Sequence, residues 1–464
     1  MAESAPYPRP DFERRDLNWT PLNGTWQFAF DDDDAGLSGD ARRTIEVPFV
    51  FQAPASGIGE RGAHEVLWYE RSFADIRTSE ELKKGHRLLL RFGAIDYEAT
   101  VWVDDHIVGR HRGGHIPFDL DISDAVQVQA NASQHQVRVR VRDSPYDLSQ
   151  PRGKQYWGPE PESIFYTPSS GIWQSVWLES VPRIRVGDSS HGTILRSDNI
   201  EAGALHANVS VLGRPSAFSC TVEVSASFRG TQVGSVRQDL VKDKESVTLD
   251  LSLRLSSEQR HSFLGDKGLP DDDACWREGA ALWSPEYPLL YDVQLKLLDA
   301  EAVVVDEVNT TVGMRSLSWT NGDGTFRLNG KPIFQALVLD QGYWPQTLMT
   351  PPSADSLKTD IELSKKMGFN GCRKHQKVED PIFLYWADHL GYLVWGEVAN
   401  AYEFSNEYVE RFNEEWIAVV KRDINHPCVV AWTPVNESWG YTSLKDNIEQ
   451  RNHIRSLYYM TKYV

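Results

Sequence analysis

The chain has 464 residues, of which 41% are hydrophobic and 25% are charged, a composition typical of a globular protein with about three domains. Its net charge is −18 and it has no cluster of Lys and Arg, which excludes nucleic acid and anionic membranes as expected partners. Residues 1–16 lack the apolar core of a signal peptide and no stretch reaches transmembrane length, so we expect a cytoplasmic location.

Residues 1–181 are predicted to form a β-sandwich of the jelly-roll type. In residues 136–142, valines alternate with polar side chains, as in a strand with one buried face. Residues 100–109 are typical of a hairpin with Asp104 and Asp105 in its turn. Further short strands are predicted at 22–30, 67–73, 86–92 and 172–178, with no helical periodicity among them. Many short strands joined by turns indicate a sandwich.

Residues 182–317 are predicted to form an immunoglobulin-like β-sandwich. Apolar and polar residues alternate cleanly over 246–255 and again over 291–297. Two more strands are predicted at 204–212 and 218–228, and the number and length of the strands suit this fold. The sequence has no Cys–Trp–Cys pattern, so a true antibody-type domain is not expected.

Residues 318–464 change to strand and helix alternation, which predicts the first four βα units of a TIM (β/α)8 barrel. The predicted strands are 332–339, 369–373, 392–395 and 428–432, and the predicted helices are 353–367, 381–390, 405–425 and 443–464. A complete barrel takes about 250 residues and closes its last strand on its first. Strands one and four would therefore be open edges that pair with another chain, so a homo-oligomer is one expected state.

Polar side chains follow each of the four predicted strands, at the end where barrel enzymes hold their chemistry. In chain order the candidates are Asp340, Tyr343 and Trp344, then Arg373 and His375, then Glu397, then Asn436, Glu437 and Trp439. Taken singly, an acid or a histidine here is as readily a satisfied structural group as a functional one. Their recurrence at four successive strand ends predicts a single site.

Glu437 is the candidate for the central chemical role. It follows an apolar strand and stands beside the Asn436 amide, between Trp432 and Trp439. A carboxylic acid in that position suits a proton donor to a glycosidic oxygen, provided that burial or a nearby charge keeps it protonated. The alternative is a structural Glu paired with an Arg. The total of 16 Trp residues favours a carbohydrate partner, although most Trp residues in any protein pack in the core.

Several motifs resemble glycoside hydrolase family 2, which includes β-galactosidases, β-glucuronidases and β-mannosidases. LNGTWQFAFD, LWYERSF and SGIWQSVWLE resemble its N-terminal sugar-binding sandwich, and LWSPEYPLLY and VGMRSL resemble its second domain. GFNGCRKHQKVEDP, VWGEVAN and NHPCVVAWTPVNESWG resemble its barrel. The resemblance implies that Glu437 is the general acid/base, that Asn436 binds the sugar 2-hydroxyl, that Arg373 orients the nucleophile, and that His375 and Glu397 line the sugar pocket.

The resemblance implies a retaining exo-β-glycosidase that hydrolyses O-glycosyl bonds of β-linked carbohydrates without a cofactor or metal ion. Family members continue through four more βα units, and their nucleophilic Glu near strand seven has no counterpart in this sequence. One alternative is therefore a truncated, catalytically inactive relative that binds carbohydrate. Another is a purely structural β-sandwich protein.

Overall fold

The computed structural model describes residues 6–33, 36, 42–128, 132–158, 160–265, 268–319 and 322–464. Antiparallel strands dominate the first two parts of the chain and parallel strands the third. The strands of the first part are β1 (Glu13–Arg14), β2 (Asn18–Pro21), β3 (Gly24–Phe30), β4 (Arg43–Val47), β5 (Val66–Phe73), β6 (Arg87–Phe92), β7 (Ile95–Asp96), β8 (Glu98–Val103), β9 (His106–Arg112), β10 (Phe118–Asp121), β11 (His135–Arg142), β12 (Gly171–Ile172) and β13 (Val176–Val181).

The remaining elements cover residues 185–464, apart from two short helices in the first part. The strands of the second part are β14 (Arg185–Val186), β15 (Ile194–Arg196), β16 (Ala204–Leu212), β17 (Thr221–Phe228), β18 (Thr231–Asp239), β19 (Ser246–Ser252), β20 (Trp276–Arg277), β21 (Ala280–Ala281), β22 (Tyr291–Leu298) and β23 (Val304–Val312). Those of the third part are β24 (Leu317–Ser318), β25 (Arg327–Leu328), β26 (Lys331–Pro332), β27 (Leu337–Asp340), β28 (Gly371–Lys374), β29 (Leu393–Glu397) and β30 (Val429–Thr433). The helices are α1 (Ser79–Lys83), α2 (Ser123–Val128), α3 (Ser257–His261), α4 (Ala354–Lys366), α5 (Pro381–Leu390), α6 (Asn406–Asp423) and α7 (Ile448–Tyr463).

The first part is a sandwich of two antiparallel sheets, with strand orders β4-β3-β5-β11-β8-β9 and β10-β6-β13-β2. The alternation in β11 buries Val137, Val139 and Val141 against side chains of the opposite sheet. The strand predicted at 172–178 is interrupted, because β12 pairs with β7 whereas β13 pairs with β6 and β2. Helices α1 and α2 were not expected, since five or six residues are too few to show helical periodicity.

The second part is also a sandwich. One sheet has the order β1-β23-β22-β17-β18, and in the other β16 pairs with β14, β15 and β19. Leu249 and Leu251 of β19 enter its core, as their alternation predicts. The N-terminal strand β1 also belongs to this sandwich, because Glu13 and Arg14 pair with β23. The predicted boundary at residue 181 therefore does not separate the sheets of the two parts.

The third part contains a parallel four-stranded sheet of order β27-β28-β29-β30, with α4, α5 and α6 as the connections between successive strands. The first strand is shorter than predicted, because β26 turns back antiparallel onto β25. The last helix begins at Ile448 rather than at 443, because the Asn447 side chain caps it by accepting hydrogen bonds from the first backbone amides. In strand β30 only Val429 and Val430 are buried, since β30 is an outer strand of this sheet.

Two further observations concern the whole of the described chain. Each helix in the described ranges is too short or too polar to cross a membrane. The four cysteines are buried free thiols, two of them at the start of parallel strands, where Cys372 lies in β28 and Cys428 directly precedes β30.

Candidate functional site

The ends of three parallel strands bring together Arg373, His375, Glu397 and Asn436, which we call the Arg373 cluster. The Arg373 guanidinium donates through Nε to Glu397 Oε2 at 2.8 Å and through Nη2 to Asn436 Oδ1 at 2.7 Å. The other carboxylate oxygen of Glu397 accepts the backbone N–H of Gln376 at 2.8 Å, and His375 Nδ1 lies 3.4 Å from it. This arrangement fixes the guanidinium from both sides.

The sheet register explains why these residues meet. Arg373 pairs with Trp395 across the parallel strands β28 and β29, so both side chains point to the same face of the sheet. Glu397 is two residues further along β29 and shares that face. Asp340 instead pairs with Lys374, the neighbour of Arg373, and therefore points to the opposite face. The structure does not bring the Asp340 carboxylate into the Arg373 cluster.

Asp340 belongs to a separate network of charges. Its carboxylate accepts from Lys374 Nζ, which also donates to Glu379 at 2.8 Å, and Lys377 Nζ lies 3.1 Å from the same Glu379 carboxylate. Burial raises the pKa of Glu379, but the charges of Lys374 and Lys377 outweigh burial and lower this pKa to about 2. This network lies behind the sheet and has the character of a structural ion-pair cluster.

Tyr343 and Trp344 also lie away from the Arg373 cluster. Together with Asp340 they line a different cleft of about 430 Å³. Tyr343 stacks on Tyr166 with ring centroids 4.2 Å apart, and the Trp344 backbone forms a bridge with Leu348. Both rings are half-buried. Their predicted place in a sugar-binding wall thus concerns this second cleft.

Glu437 follows Asn436 in a tight turn at the edge of the Arg373 cluster. The backbone of Glu437 and of Ser438 is left-handed, with φ of 48° and 63°, a conformation that is unfavourable for residues with a Cβ. Asn436 is buried and its Nδ2 has no partner among the described residues, whereas Glu437 is exposed.

Burial and the fixed cations set the charges of the Arg373 cluster. Burial raises the pKa of Glu397, and the hydrogen bonds from Arg373 and Gln376 oppose that rise. Burial, together with the charges of Arg373 and Lys154, lowers the pKa of His375 to about 4. At neutral pH the His375 ring is therefore neutral and can donate or accept a hydrogen bond.

A loop of the first sandwich, for which no role is predicted from the sequence, covers this end of the sheet. We call its described residues, 144–158 and 160–166, the sandwich loop. The backbone amides of Arg152 and Gly153 donate to the Asn400 carbonyl at 3.1 and 2.9 Å, and the Tyr402 hydroxyl donates to the Gly153 carbonyl. Asn400 in turn donates its backbone N–H to the Gln376 side chain at 2.8 Å. These contacts fasten the sandwich loop directly to the loops that carry the Arg373 cluster.

Aromatic rings from both parts of the chain form one wall at this junction. Trp439 lies 5.3 Å from Tyr402 and 5.8 Å from Phe165, measured between ring centroids, and Trp157 lies 4.7 Å from Tyr402. Lys154 Nζ lies 5.0 Å from the Trp439 ring centroid. One signal in the sequence indicates this wall. In a region without predicted strands, a cation stands among aromatic residues in the run Gly153-Lys154-Gln155-Tyr156-Trp157.

A buried group of Asp388, His426 and Cys428 places potential metal-ligand atoms within 4.8 Å of one another. Both oxygens of Asp388 are already engaged, one with His426 Nδ1 at 2.6 Å and one with the Cys428 backbone N–H at 2.9 Å. These hydrogen bonds anchor the segment that leads into β30, and they account for the group without a metal ion.

Two family profiles match the chain. The profile described as "Glycosyl hydrolase 2 galactose-binding domain-like" matches residues 60–166, and the profile described as "Glycosyl hydrolases family 2" matches residues 221–315. A β-galactosidase of Thermoanaerobacter pseudethanolicus is 22% identical over 90% of this chain and 50% of its own length. A β-glucuronidase of Felis catus is 25% identical over 93% of this chain and 65% of its own length. The chain thus spans about half to two thirds of the length of these relatives.

Solved structures share the fold of this chain. A β-glucuronidase of Parabacteroides merdae with glycerol in its active site superposes with a TM-score of 0.75 at 17% identity, over 100% of this chain and 55% of that one. A β-galacturonidase of Eisenbergiella tayi bound to galacturonate superposes with a TM-score of 0.70 at 20% identity, over 97% of this chain and 70% of that one.

Proposed function

The chain belongs to glycoside hydrolase family 2, and from that membership we propose that it forms part of a retaining exo-β-glycosidase in which Glu437 is the general acid/base. The sugar whose β-glycosidic bond is hydrolysed would be bound by the Arg373 cluster, by Glu437 and by the aromatic wall that includes Trp439. The observation that carries the proposal is the strained turn at Glu437 and Ser438, directly beside the buried and unsatisfied amide of Asn436. Strain and an unpaired donor persist in a folded protein where a ligand uses them.

The parallel sheet β27-β28-β29-β30 supports a further proposal, that these strands are the first half of a (β/α)8 barrel. All four strands run in the same direction, helices connect them, and the Arg373 cluster lies at their C-terminal ends, as in barrel enzymes. In the same proposal the two sandwiches are the jelly-roll and immunoglobulin-like domains, and the first of them shapes one wall of the site through the sandwich loop.

Glu397 is a poor candidate for the nucleophile of a retaining reaction. One of its oxygens accepts from Arg373 and the other from the Gln376 backbone, and its side chain is 0% exposed. A nucleophile needs a free oxygen that can approach the anomeric carbon, about 5–5.5 Å from the acid/base carboxyl group. The resemblance to the family assigns that role to a Glu near strand seven, which no residue of this chain matches.

The test is Glu437→Gln in the protein as its source cell makes it. Loss of the proton donor should slow hydrolysis of a β-linked disaccharide by about 10²–10⁴-fold. Nitrophenyl β-glycosides should suffer much less, because their leaving group needs little protonation. Glu278→Gln changes an exposed Glu with a similar left-handed backbone in the second sandwich; it is the matched control and should leave both substrates nearly unaffected.

Equal loss for both substrate types would show that Glu437 does not donate the proton. Sugar binding without any turnover in the unaltered protein would favour the second candidate, a carbohydrate-binding relative without hydrolytic activity. The engagement of both Glu397 oxygens is the observation that supports this alternative.

A further inference from the structure

A series of buried hydrogen bonds runs from the edge of the candidate site to α7. The Asn400 backbone N–H donates to Gln376 Oε1 at 2.8 Å, and the Tyr408 hydroxyl donates to Asn400 Oδ1 at 2.7 Å. The Tyr408 and Tyr441 hydroxyl oxygens lie 3.0 Å apart, and the Tyr441 hydroxyl lies 2.8 Å from His453 Nδ1. All five residues are buried. We call Tyr408, Tyr441 and His453 the Tyr441 network.

The hydrogen bonds of the Tyr441 network have one direction. Asn400 Oδ1 also accepts the Ala401 backbone N–H at 2.8 Å, which fixes this oxygen, rather than the amide nitrogen, towards Tyr408. A hydroxyl has one hydrogen, so Tyr408, which donates to Asn400, must accept from Tyr441. Tyr441 in turn must accept from His453 Nδ1. Removing one donor leaves a polar group unpaired among apolar side chains, which costs more than the hydrogen bond itself contributes.

The Tyr441 network lies directly behind the turn formed by residues 436–439, which we call the acid/base turn. The Tyr441 backbone N–H donates to the Ser438 carbonyl at 2.8 Å. The Glu437 side chain is exposed and forms no hydrogen bond with another described residue, so the backbone of the turn sets the place of its carboxyl group. Glu437 and Ser438 are left-handed, and such a backbone persists only where its surroundings hold it.

Side-chain contacts hold the acid/base turn at both ends. At its start, Asn436 Oδ1 accepts from Arg373 at 2.7 Å. At its end, Tyr441 is held by its network, and Gln450 of α7 accepts the Ser443 backbone N–H at 2.9 Å. Loss of either support would let the turn relax from its left-handed conformation, which would move the acid/base carboxyl group.

We propose that Tyr441 and His453 are positioning residues that hold Glu437 where it can donate its proton to the glycosidic oxygen. This inference rests on the proposed function, because it takes Glu437 as the general acid. It also gives α7 a part in the reaction although His453 is buried beneath the turn and acts only through Tyr441. A displacement of a catalytic group by about 1 Å is enough to slow a reaction about 10²-fold.

The experiment compares two substrates in the protein as its source cell makes it. The value of kcat/KM is measured for a β-linked disaccharide, whose leaving group needs the proton, and for a nitrophenyl β-glycoside of the same sugar, whose leaving group needs little protonation. Tyr441→Phe keeps the ring and removes the hydroxyl. We expect it to lower kcat/KM about tenfold to a hundredfold for the disaccharide and less than about threefold for the nitrophenyl glycoside.

Variants of His453 test whether the hydrogen bond is the cause. His453→Leu should reproduce the selective loss, because it removes the donor to Tyr441. His453→Asn should recover most of that loss, since an Asn side chain places an N–H close to the position of the imidazole Nδ1. Tyr458→Phe is the control, because it removes the hydroxyl of an exposed Tyr from the same helix, and it should behave as the unaltered protein.

The outcomes separate this inference from the proposed function. Equal loss for both substrates, or no loss, in Tyr441→Phe and His453→Leu overturns the positioning role, provided that Glu437→Gln does discriminate between the substrates. A His453→Asn variant that is no better than His453→Leu overturns it as well. Should thermal melting show that Tyr441→Phe does not fold, the two His453 variants decide the question. If Glu437→Gln slows both substrates equally, or the unaltered protein hydrolyses neither, the proposed function fails and this inference fails with it.

Discussion

At the scale of single residues, the site depends on one guanidinium held by two partners. Arg373 is partly exposed on its outer side, but the Glu397 carboxylate that it neutralises has a fully buried side chain. The Asn436 side-chain oxygen accepts a hydrogen bond from Arg373 Nη2, and this bond links β28 to the turn that carries Glu437. Removing the guanidinium would leave a buried charge and loosen that turn.

We therefore predict that Arg373→Ala lowers the free energy of unfolding by about 3 kcal/mol at pH 8, because breaking a buried ion pair strands the other charge. The loss should be smaller at pH 5, where Glu397 can take up a proton. Urea unfolding at both pH values measures this, and the double variant Arg373→Ala/Glu397→Gln should recover most of the stability. If the double variant is no more stable than the single one, the charge of Glu397 is not the reason.

At the scale of elements, the sandwich loop and α6 join the first sandwich to the parallel sheet. Gly153 has a φ of 60°, and a Cβ there would overlap the Gln376 carbonyl oxygen. Only glycine allows the sandwich loop to approach the strand ends this closely. On the other side of the junction, Glu415 of α6 is buried against the backbone of the segment after β9 and accepts from the His115 N–H at 3.3 Å.

Gly153→Ala should destabilise the protein by more than about 2 kcal/mol, the sum of a left-handed alanine and a backbone overlap. Gly85→Ala is the matched control, since Gly85 has a φ of 74° and no atom lies within 4 Å of the added carbon. It measures the cost of a left-handed alanine alone, which should be about 1 kcal/mol. Thermal melting measures the loss of stability in each variant, and equal losses in the two variants would contradict the close approach.

Glu415 makes the stability of this junction dependent on pH. Burial raises its pKa to about 8, although the backbone amides of His115 and Gly114 oppose the rise. A carboxyl whose pKa is raised on folding stabilises the folded state fully below its unfolded pKa of about 4.3, and this contribution is lost as pH rises towards 8. Glu415→Gln cannot ionise, so its stability relative to the unaltered chain should increase by about 1 kcal/mol for each pH unit between 5 and 7.

Urea unfolding at pH 5, 6, 7 and 8 checks the expected slope for Glu415→Gln. Glu414→Gln removes a carboxylate from the neighbouring exposed position of α6 and serves as the control. A stability difference between Glu415→Gln and the unaltered chain that stays constant over this range would show that Glu415 is ionised in the folded state at pH 5 already.

At the scale of the whole molecule, the parallel sheet has two outer strands in the described chain, β27 and β30. Apolar side chains near these two strands are exposed to solvent, including Phe334, which is 84% exposed, and Leu339, which is 57% exposed. Outer strands with exposed apolar neighbours pair readily with other chains. We expect the isolated 464-residue chain to associate, which a measurement of its mass in solution will show.

The same chain in isolation should not hydrolyse glycosides by the family mechanism. Glu437 would lack a free carboxylate partner, since Glu397 is engaged on both oxygens and Asp340 is held by Lys374 on the opposite face of the sheet. A second copy would supply no further nucleophile, because it carries the same residues. An assay with a panel of nitrophenyl β-glycosides decides this. Turnover of about 1–10³ s⁻¹ by a monomer would contradict the prediction, and Glu397 would be the first residue to reconsider.

The sequence by itself determined those features that arise from local periodicity and from neighbours in the chain. Alternation over 136–142 specified β11, and the Asp380-Pro381 start and the Gly391 stop specified α5, because capping and pleating act within a few residues. Parallel strands with polar ends also placed Arg373, His375, Glu397 and Asn436 at one edge, since such ends lie together in a sheet.

Only the tertiary structure decided which of the strand-end residues share a face and what covers them. A shift of one residue in register turns a side chain to the other face, and this separates Asp340 from Arg373 although both end neighbouring strands. Other features depend on contacts between segments hundreds of residues apart. They are the pairing of β1 with β23, the position of Lys154 beside Trp439, and the exposure of Glu437. Such contacts arise from packing of the assembled sheets and loops, and no local pattern in the sequence encodes them.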